Sequence, residues 1–191
     1  MHFLSIILFS ISSNLDNLTV SIGYGMENIK IKPLSNFIIS FISAFGTFIS
    51  MSVGTLVLKF LNEKIANDIG SIILIFIGLY FCLQFFKNNK SKNLDVDSKS
   101  RDKDNSKAIE PKEAISLAFA LTINNFGVGF GASVAGINVL FTTLATFFIS
   151  TLFLQIGDKL GSGFFSKVFG KYSDFISGVL IVFIGIYEMF T

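Results

Sequence analysis

Apolar residues gather into six runs along the chain, Phe3 to Gly23, Leu34 to Leu58, Ile69 to Phe86, Ala114 to Ser133, Val139 to Ile156 and Phe175 to Phe190. Each is close to the roughly 20 residues that a helix needs to cross the hydrocarbon of a bilayer. The pattern predicts six transmembrane helices and an all-α polytopic membrane protein. The first run does not read as a secretory signal. No basic residues precede it, it has no small-residue cleavage site, and Ser12-Ser13-Asn14-Leu15-Asp16-Asn17 interrupts it. It is expected to stay as a helix that carries polar side chains into the membrane.

Polar positions are concentrated in one long stretch, Lys87 to Lys112, with mixed charges, Ser and Asn and no aromatic residue. Such a segment has too little apolar surface to fold and is expected to be a disordered tether. It ends at Pro111 and Glu113, a proline and an acid suited to the first turn of the fourth helix. The chain therefore divides into a three-helix repeat (1–86), a charged loop (87–112) and a second three-helix repeat (113–191).

The two halves repeat one another. Ser71 to Tyr80 in the third helix matches Gly178 to Tyr187 in the sixth at an offset of 107, and Asn14 to Gly23 in the first matches Thr122 to Gly131 in the fourth at 108. Three crossings per repeat is an odd number, so the second copy must insert upside down relative to the first. The expected fold is a 3+3 inverted repeat about a pseudo-two-fold axis in the membrane plane. Secondary transporters use that plan to form two states around a midplane site.

Composition sharpens this reading. Of 191 residues 51% are hydrophobic and 15% charged, against about a quarter charged in a soluble domain, which excludes a soluble enzyme with a broad water-facing cleft. Cys82 is the single cysteine and His2 the single histidine, so neither an internal disulfide nor a His-rich metal cage is available. With a net charge of +2 and basic residues at the helix edges, a nucleic-acid surface has no support. The partner expected is the bilayer; a homo-oligomer is compatible, and other membrane partners are unspecified. No nucleophile with an adjacent base is visible, so catalysis is not expected.

Thirteen of the 15 basic residues fall on one side if the N-terminus lies outside, leaving Lys59 and Lys64 on the other. The positive-inside rule then puts both termini outside the plasma membrane and the central loop in the cytoplasm.

Asp16 stands out among the intramembrane polar residues, since a carboxylate in hydrocarbon costs at least a few kcal/mol and no Lys or Arg lies inside a span except near the ends. A transported cation or proton would supply the missing charge. Asn17, Asn124 and Asn125 are the candidate oxygen ligands beside it, and Gly23, Gly25, Gly127, Gly129 and Gly131 allow helix breaks or close packing. Ser43, Thr47, Ser50, Thr143, Thr146 and Ser150 read as packing material. An all-oxygen set suits manganese or magnesium as a substrate, whereas zinc and copper would recruit His or Cys. No permanently bound cofactor is expected. Glu188, near the end of the sixth helix, reads as an exposed acid at the outer surface.

Leu15-Asp16-Asn17 followed by Ser21-Ile-Gly-Tyr-Gly25, the second copy Ile123-Asn124-Asn125-Phe126-Gly127, and six helices split by a charged loop resemble the sporulation membrane protein YtaF family, which is similar to the MntP manganese efflux pumps. The resemblance implies divalent-cation efflux of the manganese type, by alternating access of the repeats. The pump relatives carry an acid in the motif of each repeat. Here Asp16 matches the first and Asn124 replaces the second, so one formal charge is lost. The alternative is a non-transporting sporulation membrane protein that acts through assembly with partners.

Overall fold

Each apolar run falls on helix in the computed structural model, which describes residues 3–58, 63–88, 107–161 and 164–190. In chain order the elements are α1 (Phe3–Ser12), α2 (Leu15–Met26), β1 (Lys30–Ile31), α3 (Pro33–Leu58) and α4 (Glu63–Asn88). After the central segment come β2 (Ala108–Ile109), α5 (Pro111–Val134), α6 (Val139–Leu160) and α7 (Phe164–Met189). Of the expected loop, residues 89–106 lie outside the described residues.

Length and hydropathy qualify three helical stretches as membrane spans, Phe3–Met26, Pro33–Leu56 and Val139–Leu160. A fourth qualifies if Pro111–Ile123 and Asn125–Val134, bent by 48°, count as one. The third and sixth runs give shorter apolar helices, Asp68–Leu83 and Phe175–Met189. Both belong to longer helices, α4 (Glu63–Asn88) and α7 (Phe164–Met189). The molecule is an almost wholly helical, multi-pass membrane protein.

Local chemistry sets the helix ends. Glu110 caps α5 in a capping box with Glu113, Pro111 follows, and the Glu110 backbone N–H donates to Glu113 Oε2 at 3.0 Å. Asn138 caps α6 by accepting from the Phe141 N–H at 3.1 Å. The C-termini of α2 and α5 close alike. Asn28 (φ 57°) and Gly136 (φ 84°) take the left-handed conformation. The next residues fold back, Ile29 N–H onto Tyr24 O at 2.9 Å and Ile137 N–H onto Ala132 O at 3.1 Å. Both are Schellman closures, which satisfy carbonyls that the helix leaves open.

The helices pack in a definite pattern: α3 lies on α5 and α6, α4 on α7 and α5, and α2 on α6 and α7, while α1 lies on α7 and α6. At the α4/α7 crossing the backbones nearly touch. A Cβ on Gly78 would stand 2.6 Å from Gly178 O and 2.8 Å from Val182 N, and one on Gly185 would stand 2.8 Å from Ser71 O and 3.1 Å from Ile75 N. Small residues permit that approach and the dispersion contacts that come with it.

Two apolar clusters occupy opposite ends of the bundle. One joins Tyr24, Ile29, Ile39, Ile109, Leu117 and Leu154 at the end where β1 and β2 pair in parallel, Lys30 with Ala108 and Ile31 with Ile109. That pairing is reinforced by Ser35 Oγ donating to Ile109 O at 2.6 Å and by the exposed ion pair Lys32–Glu110 at 2.9 Å. The other cluster includes Ile6, Phe9, Leu74, Ile137, Ile181 and Ile184. A third, Leu15 with Leu18 and Ile22, lies on α2.

Candidate cation site

The first helical run breaks at Ser13-Asn14, where α1 gives way to α2. Asn14 spans the break, its Nδ2 donating to Ser10 O and its Oδ1 accepting from Asn17 Nδ2, both at 2.8 Å. Asn17, fully buried, also donates to Ser150 Oγ on α6 at 2.8 Å. With Nδ2 fully used, Asn17 Oδ1 is left buried with no hydrogen-bond partner among the described residues, an acceptor directed into the bundle interior. Asp16, one step and about 100° round the helix, is half-buried, and its Oδ1 accepts the Asn17 backbone N–H at 2.8 Å.

The second motif sits on α5, against α3. Two stretches of α5, Pro111–Ile123 and Asn125–Val134, are inclined at 48° to one another; the side chain of Asn124 lies outside what the structure describes. Just beyond it the Ser50 hydroxyl of α3 donates to the Phe126 carbonyl. Hydroxyls commonly satisfy carbonyls loosened at a kink in membrane helices. Asn125 and Thr122 are buried, with Asn125 Nδ2 and Thr122 Oγ1 lacking partners among the described residues. Ser43 Oγ on α3 and Thr146 Oγ1 on α6 are in the same condition.

Asn17 bonds to Asn14 and Ser150 rather than to Asn125, so the two motifs are candidate half-sites on separate helix pairs, α2/α6 and α3/α5. The glycines play unequal parts. A Cβ on Gly25 would stand 2.5 Å from Asp158 O, on Gly129 3.0 Å from Ser50 Oγ, and on Gly131 3.0 Å from Ile73 Cγ2. Gly127 meets only an ordinary contact, 3.7 Å to Ile77 Cδ1, and Gly23 is buried in α2. Ser50 and Ser150 do more than pack, since each bonds a residue in the other half of the chain, Phe126 and Asn17.

Glu188 differs from its expected exposure: it is completely buried and accepts a hydrogen bond from Ser5 Oγ. Its spacing contained the signal, because Ser177, Ile181, Ile184 and Glu188 follow at steps of four, three and four and share the inner stripe of α7. Tyr24, likewise fully buried, was equally unmarked by its motif.

Chemically, the half-sites offer one carboxylate with amide and hydroxyl oxygens. Among the described residues no group of three or more His, Cys, Asp and Glu could hold a metal ion. The donor set therefore suits a hard cation that keeps part of its water rather than one locked in a protein cage.

The chain is a multi-pass helical membrane protein whose interior encloses buried amide and hydroxyl groups. The family described as "Putative manganese efflux pump" matches residues 86–189. The chain is 33% identical, over 99% of its length and 100% of the relative's, to "Probable sporulation protein YtaF" of Bacillus subtilis (strain 168). It is 26% identical, over 99% of its length and 97% of the relatives', to "Putative manganese efflux pump MntP" of Bacillus cereus (strain G9842) and of Bacillus mycoides (strain KBAB4). No solved structure matches it. The chain belongs to the YtaF family, related to the MntP pumps.

Proposed function

We propose that the protein exports a divalent cation of the manganese type from the cell by alternating access of two inverted three-helix repeats, with six spans, both termini outside and the central loop in the cytoplasm. The observation that carries this reading is the set of buried amide and hydroxyl groups on the helices around Asp16, several without partners among the described residues, with apolar clusters on either side along the chain. Buried polar groups without partners are costly. A passing hydrated cation satisfies them, and two apolar plugs that open in turn give it access from either side.

Paired contacts support the inverted repeat. Advancing Gly78 by the offset of 107 gives Gly185, and Ser71 gives Gly178; the Gly78–Gly178 and Gly185–Ser71 approaches are the two copies of one contact. Advancing Ile6, Phe9, Tyr24 and Ile29 by 108 gives Ala114, Leu117, Ala132 and Ile137. This exchanges members of the two plugs and maps one Schellman closure onto the other.

In this mechanism Asp16 neutralises part of the cation's charge, Asn17, Asn124 and Asn125 replace some of its water, and the break at Ser13-Asn14 and the bend in α5 are where the helices flex. The names of the MntP relatives supply manganese as the substrate class. The test is manganese binding to purified, detergent-solubilised protein, with magnesium and calcium as competitors. Saturable binding is expected in the wild type and its loss in Asp16→Asn; equal binding by both proteins would sink the role of Asp16.

The 33% identity to a protein named for sporulation favours a second reading, a membrane protein that acts through assembly with partners. Under it Asp16→Asn is tolerated in cells and neither protein binds manganese.

A further inference from the structure

The polar layer uses Asp16, yet the bundle also encloses Glu188, a second acid in the opposing repeat that the cation pathway leaves without a task. Glu188 is 0% exposed and lies one turn beyond Ile184 and two beyond Ile181, both members of the apolar plug at that end. Ser5 Oγ of α1 donates to its Oε1. An ionisable side chain enclosed inside a membrane bundle is rare and typically marks an ion pathway or a proton relay.

The surroundings choose between those two. A divalent cation seeks about six oxygen ligands, and no acid cluster able to hold a metal occurs among the described residues. A proton needs one carboxyl oxygen and a hydroxyl to travel by. Two separate buried hydroxyl contacts lie on the α1/α7 seam: Ser5 on Glu188 and, two turns along α1, Ser12 with Ser177 Oγ at 2.9 Å. Next come Asn14 and Asn17 with Ser150. Among the residues whose side chains are described, the titratable groups at this end are Lys64 and Asp68 on α4 and Tyr187 on α7 itself, with Glu63 opening α4 in the sequence; α1 from Phe3 to Ser12 and α6 from Val139 to Ser150 bring none. His2, just ahead of α1, lies outside the described residues.

We infer that Glu188, held by Ser5 on the α1/α7 seam, is the loading site for a proton that enters as the cation leaves. The inference rests on the efflux reading for its cargo and places the coupling ion at the end of the bundle opposite β1 and β2. In each cycle the carboxylate gains one proton from the side on which the cation is released and gives it up on the other side. No covalent bond in the protein changes.

Proteoliposomes with radiolabelled manganese and a lumenal pH dye test it. The wild type should exchange manganese for manganese without a pH gradient, accumulate it when a gradient is imposed, and shift the dye as it does so. Glu188→Gln should keep the exchange and lose both the gradient-driven accumulation and the dye shift. Gradient-driven accumulation at the wild-type level in Glu188→Gln, or manganese movement without a dye shift in the wild type, would overturn the proposal while leaving efflux standing. If the wild type exchanges no manganese, efflux itself fails. The proton site is then decided by infrared difference spectra across a pH titration. A carboxylic-acid band that is absent from Glu188→Gln, or that moves in Ser5→Ala if the Gln variant does not fold, keeps the site; a band unchanged in the variant examined removes it.

Discussion

The half-site on α2 and α6 is charged and cross-linked, whereas the one on α3 and α5 is neutral and loosely bonded. On the first side Asp16 stands beside an Asn14–Asn17–Ser150 chain with bonds of 2.8 Å. On the second the motif reads Asn124-Asn125, the Ser50 hydroxyl holds a carbonyl rather than a side chain, and the helix bends by 48°. Equivalent stretches of chain have thus divided the work. One keeps the charge and a fixed geometry, and the other keeps backbone freedom with dipoles alone. A lone carboxylate cancels half of a divalent charge, so under the efflux proposal the cation would be held less tightly than between two acids and released more easily.

Moving the charge tests that division most severely. Asn124→Asp in the wild-type background should tighten manganese binding by one to two orders of magnitude, an effect on the scale of adding a charged ligand, about 1.5–3 kcal/mol. The double variant Asp16→Asn/Asn124→Asp should recover part of the binding lost in Asp16→Asn; no recovery in equilibrium dialysis would mean that the halves are not interchangeable. A smaller effect comes from the bonding difference. Asn17→Ala leaves Asn14 Oδ1 and Ser150 Oγ without their donor and should cost about 1–3 kcal/mol, while Asn125→Ala should cost about 1 kcal/mol or less; thermal unfolding in detergent ranks them. The smallest belongs to Lys32→Ala. This breaks an ion pair whose side chains are 47% and 43% exposed, so melting should move by no more than about 1 kcal/mol allows.

Much of the architecture was legible because hydrocarbon imposes a simple rule: every buried backbone group must bond within its own segment, so apolar runs become helices. The start of α5 was legible too, since Pro111 and Glu113 act within one turn. What escaped depends on residues far apart in the chain. Ser150 meets Asn17 across 133 positions, and no local pattern separates a serine that packs from one that ligates. The pairing of Lys30-Ile31 with Ala108-Ile109 is two residues long, too short to show a period. Glu188 is a different case: its position near the helix end suggests exposure, but its place in the 177–181–184–188 stripe decides which way the side chain faces.

The short parallel ladder also bears on how the two halves find each other. Because Lys30 and Ile31 grip Ala108 and Ile109 directly, the entry point of α5 is fixed by backbone pairing beside the first repeat, whatever length of chain precedes it. The protein is accordingly suited to division. A cut or an insertion between residues 89 and 106 leaves both edges of the clasp in place, and two separately translated fragments would carry the means of their own reassembly.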